Sequence, residues 1–519
     1  MQSYNIPFVE QFDGTSNWNI DVNVTQTLGD PTAGVTISAT SDLSGTELKF
    51  PLPLKKEADK LQGAQVDVDL SAQEPDWWVR LPGVMTARFR LSDDNKLESV
   101  AVALGESQNT VLPLSGIALH GDTRKLDALG WIRLALSFDS DGESEFPMFA
   151  KVNADQMVIG DEVFKDLVYI AYRDGGNQVH RVENELINGD ITFPKNLSKG
   201  VPLVVRLGRL DRRLLTAVGK AFDATDSRSQ VTERLTHPRE YPSMDVRVSE
   251  LIWKDWRFSN VAMRSESYEE GMKITAVTAR QNTMRVSGGG YWKSTSNGSV
   301  ESHLTSLDLT ASFDDFGRAI TDIADIESFA EGSGEAALSI NWPGPAYSPD
   351  LDELNGRFLF NMRKGRILLV DPGAGGVSGN MSIANGQATT NAIAMSGPVA
   401  EILIQGSTGF VDETYDQTID VIPRVSGALP LLGVLSGGPA GALTALLADG
   451  VLKGIGVNLD EIGRRRLTLN GTWDDPVWGK VDLDSRALEL QIYPDAVVNN
   501  FSNDLAARVL PMVGLGTVC

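Results

Sequence analysis

The sequence predicts a mainly β protein, an antiparallel sheet built from repeated strand units with a few short amphipathic helices. Three observations carry this reading. Apolar and polar residues alternate in many short runs, at the period of two that sends successive strand side chains to opposite faces. Gly is abundant, 50 of 519 residues, and recurs between these runs in Asn-Gly and Lys-Gly pairs, which supply the positive torsions of tight hairpins. Residues 152–290 read as two copies of one pattern, offset by 94 positions.

Residues 1–140 form an N-terminal β segment. Val35-Thr36-Ile37-Ser38-Ala39 and Val66-Asp67-Val68-Asp69-Leu70 alternate cleanly, and Ile132, Leu134, Leu136 and Phe138 read as a third alternating face. Asp67 and Asp69, two apart, share the outward face of one strand, so they are solvated strand residues in preference to a catalytic acid pair.

Residues 141–300 hold the repeat as two related β units joined by a helix. Val152, Met157, Ile159, Asp161, Phe164 and Leu167 correspond to Val246, Leu251, Trp253, Asp255, Phe258 and Val261. Repeated β units of this kind stack and share one core. Leu210, Leu214, Val218 and Phe222 follow helical spacing, with Arg212, Arg213 and Lys220 off that face. Such a helix plugs one end of the sheet or serves as a gate or membrane contact.

Residues 301–479 open with a strand at Leu307, Leu309, Ala311 and Phe313 and a short helix around Phe316–Phe329. Further strand faces follow at Phe358, Phe360 and Met362, at Ile402 and Ile404, and at Leu467 and Leu469. An apolar insert, 425–457, interrupts them. Val425–Ala448 has no charge and is long enough to span a bilayer, yet Pro430, Pro439 and several glycines break it. Three readings stay open for it: a spanning helix, a helical hairpin buried on the sheet, or an interfacial cap. Residues 480–519 hold a strand at Leu488–Ile492 and a helix at Leu505–Leu510, and are assigned no role.

Little in the chain points to chemistry. A formal charge of −23 repels nucleic acid and anionic headgroups, and Arg464-Arg465-Arg466, the densest cationic run, reads as the solvated start of a strand. The single cysteine, Cys519, rules out internal disulfides and Cys-based metal sites. His120, His180, His237 and His303 lie far apart without ligand spacing and read as surface or turn residues. Gly433-Val434-Leu435-Ser436-Gly437 lacks the glycine two before its serine that a nucleophile elbow needs. Gly373-Ala374-Gly375-Gly376 has Ser378 where a dinucleotide loop has its third glycine. The expectation is a protein that is not an enzyme, with no cofactor and no metal. The start, Met1-Gln2-Ser3-Tyr4-Asn5, lacks the basic and apolar regions of a signal peptide.

One set of motifs is more specific. In order it comprises Trp342-Pro343-Gly344, Leu354-Asn355-Gly356, Lys364-Gly365-Arg366-Ile367, Asp371-Pro372-Gly373-Ala374-Gly375, Ser396-Gly397-Pro398, Leu429-Pro430-Leu431, Gly437-Gly438-Pro439, and Gly471-Thr472-Trp473 with Pro476. Together these resemble the C-terminal region of the AsmA-like proteins, in particular their YhdP branch. Weaker similarity extends to Ser41-Asp42-Leu43-Ser44-Gly45 with its Pro-rich turn, to Leu210-Asp211-Arg212, and to Pro238-Arg239 before Tyr241-Pro242. One departure stands out: relatives carry a few dozen residues after the Asp-Pro-Gly-Ala-Gly element, whereas here Gly376 passes directly into Val377.

The resemblance implies an elongated, curved sheet whose apolar concave face forms a groove for phospholipid acyl chains. It implies transport without chemistry between inner and outer membranes, supporting the outer-membrane permeability barrier. It also implies a periplasmic location, anchored to the inner membrane by an N-terminal segment that this chain lacks, as a C-terminal part of a longer protein would. The lining expected on this basis is Ile132, Leu134, Leu136, Ile159, Trp253, Phe258, Phe358, Phe360, Ile402 and Ile404. Leu431, Leu432, Leu443 and Leu447 are the expected cap, through which the insert would touch a membrane surface. The alternative is a periplasmic scaffold for envelope or outer-membrane protein assembly, with an envelope protein as partner. A lipid conduit needs an unbroken apolar floor, whereas a scaffold tolerates charges across it.

Overall fold

Alternation in the sequence becomes strand almost wherever it occurs. In the computed structural model the structure describes residues 9–26, 33–71, 75–92, 97–106, 110–138, 147–195, 200–223, 237–253, 256–297, 300–324, 329–347, 349–367, 375–396, 400–423, 465–473 and 475–481. The chain divides into two compact units, Met1–Thr236 and His237–Cys519, and the division falls between the two copies of the repeat.

The first unit contains β1 (Phe12–Gly14), β2 (Asn19–Gln26), β3 (Ala33–Ser41), β4 (Thr46–Leu48), β5 (Ala64–Asp69), β6 (Asp76–Leu81) and β7 (Met85–Leu91). It continues with β8 (Leu97–Leu104), β9 (Gly116–Asp127), β10 (Met148–Ile159), β11 (Glu162–Asp174), β12 (Asn177–Glu183), β13 (Ile187–Phe193) and β14 (Leu203–Asp211). β1 and β4 pair as a small separate ladder. The other twelve form one sheet in chain order, each strand beside the next. All neighbours are antiparallel except around β9, which runs parallel to both β8 and β10. A parallel neighbour requires a crossover, and the β9–β10 connection supplies one that includes a helix.

The second unit contains β15 (Met244–Trp253), β16 (Trp256–Tyr268), β17 (Gly271–Gln281), β18 (Met284–Asn297), β19 (Val300–Phe313), β20 (Phe329–Pro343) and β21 (Asn355–Ile367). After these come β22 (Val377–Ala384), β23 (Gln387–Ser396), β24 (Ala400–Gly409), β25 (Thr414–Pro423), β26 (Arg465–Thr472) and β27 (Pro476–Val481). These thirteen strands form a wholly antiparallel sheet in chain order. Asn385-Gly386, with φ of 48° and 72°, makes the tight β22–β23 turn. Asn355-Gly356 and Lys364-Gly365 instead fall inside β21, not between strands.

Among the described residues three α-helices accompany the strands: α1 (Ala128–Phe138), α2 (Arg212–Asp223) and α3 (Phe316–Ala324). Each begins on an aspartate that satisfies a backbone N–H otherwise orphaned in the first turn. Asp127 Oδ1 accepts from Gly130 N at 2.8 Å, Asp211 Oδ1 from Arg213 N at 2.9 Å, and Asp315 Oδ1 from Arg318 N at 3.0 Å. α2 and α3 fall close to where helical spacing places them, except that Leu210 ends up in strand β14, ahead of the Asp211 cap, and strand β20 already begins at Phe329. α1 corrects a reading: Ile132, Leu134 and Leu136 are helical, not a strand face. Their spacing of two arises because almost every residue of Ala128–Leu136 is apolar, so alternation carries no information there, whereas the Asp127 cap does.

The repeat has a structural counterpart. Hairpin β10–β11 pairs Val152 with Tyr169, Ala154 with Leu167, Met157 with Phe164 and Ile159 with Glu162. Hairpin β15–β16 pairs Val246 with Met263, Val248 with Val261, Leu251 with Phe258 and Trp253 with Trp256, the same register moved along by 94 positions. Both ladders skip one pair midway, and there Asp166 and its counterpart Asn260 each have φ of 51°. This matched kink shifts the alternation by one residue, so Val152 and Met157 share a face despite odd spacing.

Candidate functional site

Register sorts the side chains of the first unit into faces. One row, followed strand to strand, runs from Ile20 on β2 through Ala39, Val66, Val79, Ala87, Val102, Leu119, Ala150, Ala171, His180 and Ile191 to Val205 on β14. The row beside it passes from Leu81 through Met85, Leu104, Gly121, Val152, Tyr169, Val182 and Gly189 to Leu207. No charged residue stands in either row. Most of these side chains are half-buried, and β2, which among the described residues pairs with β3 alone, leaves Ile20, Val22 and Val24 exposed.

The opposite face is polar. Ser38 Oγ donates to Asp67 Oδ1 at 2.7 Å, and Arg80 also binds Asp67. Arg88 and Arg90 converge on Asp76, Arg90 Nε lying 3.1 Å from Oδ1. Trp78 lies under the guanidinium groups of Arg80 and Arg88, 5.2 and 5.0 Å from its ring centroid. Burial pushes the Asp67 carboxyl up, but bonds from Ser38, Gln65 and Arg80 outweigh it and hold it below its usual value. Asp67 is therefore an ion-paired strand residue, not half of an acid pair.

One end of the first unit's apolar face is bordered. Leu43 and Leu48 bury against Ala64 and Leu81, with Phe50, Leu54 and Met85 around them. Trp131 Nε1 of α1 donates to Leu52 O at 2.7 Å, and Arg133 Nη2 donates to Ala221 O of α2 at 2.8 Å. α1 and α2 together close over Met157, Ile159, Phe164, Leu167 and the fully buried Leu186. The 43–54 segment and the two helices thus make one border along the strand ends.

In the second unit a row runs from Ala279 on β17 through Val286, Ala311, Ala336, Phe360, Gly379, Ile393, Ile404 and Ile419 to Leu467 on β26. Its neighbour passes from Val246 through Met263, Val277, Gly288, Leu309 and Leu338 to Phe358 and Met381. Here too no charge interrupts the rows. α3 borders one end, over Phe258, Met284, Val286 and Phe313. At the other end Leu351, Leu354 and Phe410 pack on Trp342, Ile383 and Ala388. Between the borders Val277, Leu309, Leu338 and Phe358 stay half-buried. The Phe358 and Phe360 rings stack at 5.3 Å, and a Cβ on Gly379 would meet the Phe360 ring at 2.9 Å, so the floor is fitted around glycine there.

The residues named from sequence fall into five groups. Phe358 and Phe360 lie on the open part of the apolar face. Ile159 and Phe258 belong to it but sit beneath helices, and half-buried Trp253 ends its hairpin beside Trp256. Ile402 and Ile404, 4% and 3% exposed, are closed into a cluster with Met395, Tyr415, Ile419, Leu467 and Leu469. Ile132 and Leu134 are on α1, exposed and buried respectively, and Leu136 is in the same helix. The insert 425–457, with Leu431, Leu432, Leu443 and Leu447, lies outside the described residues, as do residues 482–519. Among the described residues no helix is long and apolar enough to cross a membrane.

Sequence reasoning missed three features. Tyr169 and His180, on neighbouring strands, form a hydrogen bond within the apolar rows, Oη to Nδ1 at 2.6 Å. Burial pushes the Tyr169 phenol up to about 12 and His180 below its usual value. His237 and His303, sixty-six positions apart in sequence, meet with ring centroids 5.0 Å apart. Beside them Trp292, 1% exposed, contacts His303, Tyr241 and Tyr347. His237 Nδ1 accepts from Arg239 N at 3.2 Å and caps a short 3₁₀ turn, so the 237–241 segment is fixed to the sheet by aromatic packing. Arg466, expected to be solvated, forks onto the nearly buried Asp420 with two bonds of 2.8 Å. Among the described residues no group of three or more His, Cys, Asp or Glu side chains is placed to hold a metal ion.

Comparison with protein families agrees with the motifs. The model of the YhdP protein family matches residues 1–377 and 375–478, two segments that meet where Gly376 passes directly into Val377. A search of the curated proteins and one of the solved structures returned no match. With nearly its whole length covered, the chain belongs to the YhdP family.

Proposed function

We propose that this chain carries phospholipid acyl chains on the apolar faces of its sheets, between the inner and outer membranes, without chemical change to the lipid. The observation that carries the reading is the unbroken apolar rows: in each unit, side chains without charge succeed one another across ten or more strands. Each acyl CH₂ removed from water on such a floor contributes about 0.8 kcal/mol. A scaffold has no need to keep charge out of these rows, which in the second unit run as far as β26 before Lys480 of β27 stands opposite Leu467. The polar, ion-paired opposite face suits an aqueous compartment, and the periplasm is the location this reading requires.

Native mass spectrometry with lipid extraction, on protein expressed in a Gram-negative host, tests it. Phospholipid should co-purify with the wild-type chain and be lost from Phe358→Asp and Leu309→Asp, both on the half-buried floor. Ile402 is unsuitable as a probe, because a charge in its closed cluster would unfold the sheet. A folded, lipid-free wild-type protein would sink the proposal and favour a scaffold.

A further inference from the structure

Two polar side chains stand in the apolar rows of the first unit, and they are bonded to each other. His180 occupies the position between Ala171 and Ile191, and Tyr169 the position between Val152 and Val182. Tyr169 Oη lies 2.6 Å from His180 Nδ1 and 3.6 Å from Met148 Sδ. Nitrogen at the shorter distance is much the better acceptor, so the phenolic proton goes to Nδ1. A neutral imidazole carries one N–H, and with Nδ1 accepting, that proton is on Nε2. Burial keeps the phenol protonated and the ring neutral. The bond to Tyr169 is the hydrogen bond that His180 makes among the described residues, which leaves Nε2–H as a donor on a half-buried ring in an apolar floor. Phe193, 5.3 Å away and edge-on, holds the ring in place.

We propose that His180 Nε2–H donates to the ester carbonyl of an acyl chain lying on this face, an inference that rests on the acyl-carrying function proposed above. The chemistry favours a carbonyl over a phosphate. The rows hold no cation, and an anion taken from water to a neutral donor among apolar side chains pays a large desolvation cost. An ester carbonyl is a neutral acceptor at the head of an apolar chain. His180 also stands near the margin of the face: Gln178, two residues before it, pairs with the exposed Arg173 where β11 and β12 reach water. A chain whose carbonyl meets His180 can keep its headgroup in water while its tail lies along the rows.

The test is a native mass-spectrometric competition between an ester-linked phosphatidylethanolamine and the ether-linked analogue of equal chain length. Wild-type protein should prefer the ester lipid by about three- to tenfold, the value of one net neutral hydrogen bond. His180→Phe should abolish the preference while binding the ether lipid as wild type does, which also reports that the sheet is folded. Tyr169→Phe, which frees Nδ1 and lets the ring proton move, should weaken the preference. Equal binding of both lipids by wild type, or a preference that survives in His180→Phe, overturns the proposal and leaves the acyl-carrying function standing. Binding of neither lipid overturns both.

Discussion

Asp190 and Arg181 show how the outer face contributes to stability at the level of single side chains. The guanidinium donates to both carboxylate oxygens, at 2.7 and 2.9 Å, and holds the Asp190 carboxyl below its ordinary value of 3.8. A depressed folded pKa stabilises the native state above the ordinary value, and that contribution is lost as pH falls through the lower folded one. The melting-temperature gap between wild type and Asp190→Asn should therefore be open at neutral pH and close under acid below 3.8, as thermal melts across pH would show. Half-exposed pairs of this kind contribute modestly, so a small gap is expected. Single residues were legible where a strand was legible: Phe358 and Phe360 follow from period-two spacing alone. His180 was not, because its meaning depends on Tyr169 in the adjacent strand, and pairing register is not written in the periodicity of either strand. Alternation places Ile402 and Ile404 on one strand face, but their near-complete burial comes from tertiary packing that alternation does not encode.

Among elements, the kinked hairpins are the most instructive. Asp166 in β11 and Asn260 in β16 stand at equivalent points, each at φ of 51°, a conformation that Asp and Asn tolerate and β-branched residues do not. Asp166→Val and Asn260→Val should each cost about 1–2 kcal/mol in urea unfolding. If one were neutral, the two kinks would not be equivalent. The 94-position offset was readable from apolar residues because the kink moves alternation by one in both copies alike. The helices divide instructively as well. α2 announces itself through apolar residues at helical spacing with arginines off that face, whereas α1 is apolar nearly throughout and is betrayed only by Asp127 at its start. Weighing the cap above the alternation would have placed Ile132, Leu134 and Leu136 correctly.

For the molecule as a whole, the sequence predicts a mainly β chain of the YhdP family, and the strands and short helices of the described residues match that. What it could not foretell was which strands lie beside which, and so whether the apolar faces align. They do, because nearly every strand pairs with its chain neighbour in a register that keeps the alternating residues together. β2 carries a cost of this design, since its partner among the described residues is β3 alone and it shows Ile20, Val22 and Val24. Edge strands of this composition pair with other chains, and inward or edge lysines are a common natural defence. Val22→Lys should slow concentration-dependent association in light scattering, with little change in thermal stability.

The parallel placement of β9 has a kinetic corollary. In the second unit every ladder joins strands consecutive in the chain and antiparallel, so assembly can proceed strand by strand, with α3 in the β19–β20 connection and the longest connection at the β25–β26 junction. In the first unit residues 33–104 and 148–211 can each zip up locally, but they become one sheet only when β9 slots between β8 and β10 with both crossovers closed. Loop-closure entropy is spent there before any ladder bond rewards it. Pulse-labelled hydrogen exchange during refolding should find amides of β9 protected later than those of β18 and β19, which makes β9 the late-closing seam of its sheet.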